Sequence, residues 1–156
     1  MATGALAYPQ LTRRHDSPAT VRIIQTEQPQ SASSAVSFDA VTSNEYVITL
    51  TRINELRTEA DEDDRPSDYA YENAIRILGQ TARELSLDFP RGSASVGPNR
   101  GLRITWSQGQ GEVRLVCGGA AGNKSYIYSE SGEQNNVEYV VDGQHLAQHM
   151  RWALRA

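Results

Sequence analysis

One cysteine, Cys117, stands in the whole chain. A lone thiol excludes an internal disulfide and a cysteine-rich zinc site. Its place in an apolar run points to a small, inert, buried side chain. Long apolar runs are missing too, since no stretch approaches the roughly 20 residues of a membrane span. The opening MATGALAYPQLTRRHDSPAT has no apolar core of the kind a secretory signal carries. A cytoplasmic protein with no membrane partner is therefore expected. Strong charge of either sign is also absent. The 156 residues carry a formal charge of −4, which excludes a global field drawing the chain to nucleic acid or anionic lipid.

What charge there is sits in one place. Between Val41 and Arg65 lie Glu45, Glu55, Glu59, Asp61, Glu62, Asp63 and Asp64, against Arg52, Arg57 and Arg65, and this segment accounts for the whole net charge. The chain carries one acidic spot on a neutral body. Its length suits a single domain, and a 38% hydrophobic fraction is enough for a core. A mean hydropathy of −0.54 implies that part of the chain stays solvated.

That part is residues 1 to 40, where QPQSASSAVS approaches low complexity. Such a segment cannot bury enough apolar area to offset its ordering entropy, so a disordered or weakly ordered arm is expected there. TVRIIQT (Thr20 to Thr26) is an exception that could form a strand on an available edge. The basic pair Arg13–Arg14 fits a solvated tail.

A single α+β domain is expected over 41–156. Val47, Leu50, Ile53 and Leu56 recur at helical spacing after Ser43 or Asn44 as N-cap. Pro66 breaks this helix, and Ser67 caps a second that runs to about Ser86 with Tyr71, Ala74, Ile75, Leu78, Ala82 and Leu85 on one face. From Pro90 onward the period becomes two. SASVG, LRITW, EVRLVC, SYIYSES and NVEYVV read as strands, separated by Gly- or Asn-bearing turns. Asp142 then caps a last helix with Leu146, Met150, Ala153 and Leu154 as its stripe. The expected architecture is a helical hairpin packed on a four- to five-stranded antiparallel meander, followed by a C-terminal helix.

With Pro66, Ser67 and Trp106 placed, the chain resembles a widespread family of small bacterial proteins with no established activity. Its members run helix, Trp/Asp-rich loop, a P-S-x-x-A-x-x-x-A-x-x-L-L helix, and a meander opening G-G-x-x-L-x-W. Here PSDYAYENAIRIL carries Pro66, Ser67, Ala70, Ala74, Ile77 and Leu78, and RGLRITW carries Gly101, Ile104 and Trp106. The similarity covers roughly residues 47 to 130 and lies at core and turn positions, so it implies fold more than function. Where the family's loop carries W-D-G-Y-G, this chain has DEDDRPS. The resemblance also implies a gene beside another short reading frame, in the manner of toxin–antitoxin cassettes.

Several constellations invite chemistry. GGAAGNKS (Gly118 to Ser125) looks like a phosphate loop, but Asn123 stands between Gly122 and Lys124 and spoils the spacing. The residues after Ser125 alternate as a strand, so no helix N-terminus would meet an anion. A hairpin turn is expected. His145 and His149 share one helix face as weak metal candidates, yet Leu146 occupies the position where a metallohydrolase places its glutamate. The run Asp61–Glu62–Asp63–Asp64 lacks the glycine and spacing of a calcium loop. A solvated linker, or a patch for a basic partner, suits it better. Cys117 and His145 make a dyad only if the fold brings them together.

The sheet itself offers one more surface. Alternation puts Arg103 and Arg114 on one face, with Lys124, Tyr126 and Tyr128 nearby. Basic and aromatic residues interleaved on an antiparallel sheet can hold single-stranded nucleic acid. The expectation is a non-catalytic protein-binding module without cofactor, antitoxin-like or adaptor-like. Its contacts would come from Asp61, Glu62, Asp63, Asp64, Arg103, Arg114, Lys124 and Tyr128. A nucleic-acid binder or nuclease-type toxin using the basic sheet face is the alternative. Sheet edges leave room for a homodimer.

Overall fold

A computed structural model describes residues 42–59 and 61–155, all within the compact unit Ser37–Ala156. The expected arm at 1–40, with TVRIIQT and Arg13–Arg14, lies outside the described residues.

The first helix, α1 (Asn44–Thr58), starts where Ser43 caps it, the Glu45 amide donating to Ser43 Oγ at 3.2 Å. The same hydroxyl donates to the Phe89 carbonyl at 3.1 Å, so the cap also ties α1 to the chain entering the sheet. The inward stripe differs from the expected one. Thr49 and Ile53 are buried, Tyr46, Leu50 and Leu56 are half-buried, and Val47 is exposed. Thr49 turns inward because its Oγ1 donates to the Glu45 carbonyl and accepts from the Gly92 amide, at 2.8 and 2.9 Å. That tether rotates Val47 into water.

Helix α2 (Asp68–Leu85) begins at Ser67, whose Oγ accepts from the Ala70 amide at 3.0 Å. It buries Ala70, Ala74, Ile77, Leu78, Thr81 and Leu85, with Tyr71, Ile75 and Ala82 flanking. The last helix, α3 (Gly143–Ala153), is capped by Asp142, which accepts from the His145 amide. Its main helical neighbour is α2. The two cross closely at Gly143, where a Cβ would run into Gln80 and Thr81.

Five strands form one antiparallel meander in chain order: β1 (Ser93–Val96), β2 (Leu102–Gln108), β3 (Gly111–Cys117), β4 (Tyr126–Ser131) and β5 (Gln134–Glu138). The helices cover one face. Toward them point Leu102, Ile104 and Trp106 of β2, Val113, Leu115 and Cys117 of β3, and Ile127 and Ser129 of β4, all buried. Phe89 caps this layer, edge-on to both Tyr46 and Trp106 with centroids 5.1 and 6.2 Å apart. Along the layer α1 packs on β1, α2 on β2 and β3, and α3 on β3 and β4. The fold is α+β, as the alternation predicts.

Strand β5 is shifted from its expected place. Gln134 and Asn135 lie inside it, ahead of the expected start, and Tyr139 to Val141 lie beyond its end. The cause is the two-residue turn Gly132–Glu133, entered by Gly132 at φ +60°. A glycine at the first central position matches the twist of a tight hairpin, so pairing starts at once and draws the polar residues into the ladder.

Candidate functional site

The face of the sheet turned away from the helices gathers several of the residues singled out by sequence. The register sets them in rows. Thr105 pairs with Arg114, which pairs with Tyr128, which pairs with Val137. The next row runs Arg103, Val116, Tyr126. A third row holds Ser107, Glu112, Glu130 and Asn135. Arg103, Arg114 and Tyr128 therefore do share one face, because strand side chains alternate and the ladders are in register.

Their contacts define the chemistry. The Arg114 guanidinium pairs with Glu112 and lies 5.4 Å from the centre of the Tyr128 ring. Tyr128 donates its hydroxyl to Glu130 at 2.6 Å. That bond to a carboxylate, joined by partial burial and the charges of Glu130 and Glu112, raises the Tyr128 pKa, so the phenol stays protonated near neutral pH. At one end of the face Lys124 Nζ sits 5.8 Å from the Tyr139 ring centre, and Tyr139 meets Tyr126 edge-on at 6.4 Å. Arg103 Nε and Arg114 Nε are buried and have no hydrogen-bond partner among the described residues. Sequence reading missed Val137 and Tyr139, which are exposed at this end. The signal was present, because the strand read from NVEYVV already sets Val137 and Tyr139 two residues apart on one face.

The acidic run lies elsewhere. Glu62–Asp64 forms a single exposed 3-10 turn between α1 and α2. The chain just after it is held to the β1–β2 connection by two hydrogen bonds. The Ser67 amide donates to the Arg100 carbonyl at 2.8 Å, and Arg100 Nε donates to the Arg65 carbonyl at 3.1 Å. Arg100 adopts φ +58° there, a left-handed conformation that those bonds stabilise. Asp61–Asp64 and the Arg103–Arg114–Tyr128 face are thus two separate surfaces.

The weaker candidates also have positions. The loop Gly118–Ser125 joins two antiparallel strands, and its ends are tied by the Gly118 amide donating to Ser125 Oγ at 3.0 Å. It is a hairpin loop. Cys117 is fully buried, and burial pushes its thiol up to about 12, so no thiolate forms at neutral pH. The imidazoles are each engaged at Nδ1. His145 Nδ1 lies 2.9 Å from both Asp142 carboxylate oxygens. His149 Nδ1 lies 2.6 Å from Ser129 Oγ. Burial lowers the His149 pKa, opposed by Glu138 and assisted by His145. Among the described residues no group of three or more His, Cys, Asp and Glu side chains could hold a metal ion.

Ser129 and His149 were not paired in the sequence, because they are 20 residues apart on different elements. The serine hydroxyl is fully buried, so the pair fastens α3 to β4 and presents no nucleophile to solvent. Beside it, an open groove of ≈690 Å³ runs between β5 and α3, lined by Gln134, Asn136, Gln148, His149 and Trp152 among others. No described helix is long and apolar enough to cross a membrane.

Compared with known proteins, the chain matches no family model, no curated protein and no solved structure, so function is read from the fold and its surfaces alone.

Proposed function

We propose that this chain is a non-catalytic protein-binding module that offers its open sheet face to another small protein, in an antitoxin-like or adaptor role. The observation that carries this is the mixture of side chains on that face. Arginine and tyrosine are the residues in which protein interfaces concentrate their binding energy. Here Arg103, Arg114, Tyr126 and Tyr128 alternate with the carboxylates Glu112 and Glu130. A protein surface can satisfy both signs. A phosphate backbone would be repelled by two carboxylates set among the cations. The exposed Asp61–Asp64 turn, a separate surface, would speed encounter with a basic partner.

Affinity purification of the full chain from its native host tests this. The expected result is one small protein at equal amount, encoded nearby if the cassette arrangement applies, and released by Arg103→Ala with Arg114→Ala. A second reading, single-stranded nucleic acid binding or a nuclease-type toxin, is favoured by Lys124, Tyr126, Tyr128 and Tyr139 lying close together. A gel-shift titration with single-stranded RNA and DNA separates the two. A complex with a steep salt slope selects nucleic acid, and no complex selects the protein partner.

A further inference from the structure

The two edges of the sheet are unequally protected. Edge β1 has four residues, is bracketed by Pro90 and Pro98, and is flanked by α1 through Thr49 and the Arg91–Glu45 ion pair. Short length, proline and a covering element are the usual means of blocking strand addition. Edge β5 has no proline and no lysine, and no described helix packs chiefly on it. The tight turn fixes which backbone groups it offers. Ser131 and Gln134 flank a two-residue turn and so form a hydrogen-bonded pair, which makes Ser129–Asn136 and Ile127–Glu138 hydrogen-bonded pairs as well. Asn135 and Val137 then turn their N–H and C=O groups outward. Apolar side chains gather at this edge. Of the seven exposed large hydrophobic residues among those described, Val137, Tyr139, Val140 and Trp152 are on β5, just after it, or beside it on α3.

We propose that two copies of this chain pair antiparallel through β5 about Asn136, joining two meanders into one continuous sheet. The strand is complementary to itself in that register. Gln134 of each copy faces Glu138 of the other, an amide donating to a carboxylate. The two Asn136 side chains meet on the axis. On the open face Asn135 faces Val137, the two valines are diagonal neighbours, and Glu133 faces Tyr139, beside which Lys124 already sits. Each end of the interface thus gains an acidic–basic contact. Pairing about Val137 instead sets Glu138 opposite Asn136 and moves Glu133 out of line with Tyr139, losing that match. The open face stays free and becomes longer, so this association does not depend on the face binding another protein.

Cysteine cross-linking of the full chain tests it, because Asn136 on the axis is a non-hydrogen-bonded pair, where Cα atoms lie about 4.5 Å apart, within disulfide reach. Asn136→Cys is expected to give a disulfide dimer under mild oxidation. Buried Cys117 does not compete. Light scattering of the unsubstituted chain should show twice the monomer mass, and Val137→Lys should weaken the dimer at least tenfold. A monomer at the highest concentration reached, or Val137→Cys cross-linking in place of Asn136→Cys, overturns the proposal. Loss of a purified partner on Arg103→Ala with the dimer intact would separate the two surfaces.

Discussion

In the row that crosses the sheet through Trp106, the side chains facing the helices are Trp106, Val113 and Ser129, all fully buried, and then Asn136, exposed on β5. The neighbouring row runs Ile104, Leu115, Ile127 and ends at half-buried Glu138. Core gives way to polar surface between β4 and β5 because α3 rests on β3 and β4 and no further described helix comes after it. Ser129 is the hinge of that change, a hydroxyl in a buried position that is satisfied by His149. One sheet thus has two characters: its centre holds the helices, and its last strand turns polar side chains to the same side.

Substitutions along these rows would break or sharpen that contrast. Trp106→Ala should have the largest effect, about 3–5 kcal/mol of lost stability in urea unfolding, since it opens a cavity beneath Phe89. Gly111→Ala comes next, at about 1–3 kcal/mol, because a Cβ there would run into the Ala153 carbonyl and push α3 off the sheet. Ser129→Ala should cost about 1 kcal/mol through the lost bond to His149. That site also carries a pH signature. The folded protein holds the His149 pKa below the ordinary 6.5, so the unfolded chain binds more protons in between. The contribution of His149 should be constant above 6.5, fall as pH drops below it, and level off below the folded-state pKa, while His149→Gln abolishes that slope. Asn136→Ala, in the same row as Trp106, should change stability by no more than about 0.5 kcal/mol. If Asn136→Ala proved as costly as Trp106→Ala, β5 would belong to the core and the contrast would fail.

Much of this was legible in the chain. Ser43, Ser67 and Asp142 announce three helices because a capping side chain acts within three residues of itself. The alternation of Leu102, Ile104 and Trp106 with Arg103 and Thr105 identified both the buried and the open face, and so placed Arg103, Arg114 and Tyr128 together. The thiol of Cys117 was likewise expected to be buried, given its apolar neighbours. Val47 was misplaced because a helix can present either of two adjacent stripes, and the choice fell to a bond between Thr49 and a residue 43 positions away.

The sequence by itself determined the elements, their caps and the two-sided character of the strands, since each depends on residues within a turn or a pleat of one another. Only the tertiary structure decided the rest: which edge of the sheet the described helices leave uncovered, and that Ser129 meets His149. Those outcomes depend on how far the helix layer extends across the strands, and no local pattern of side chains encodes that extent.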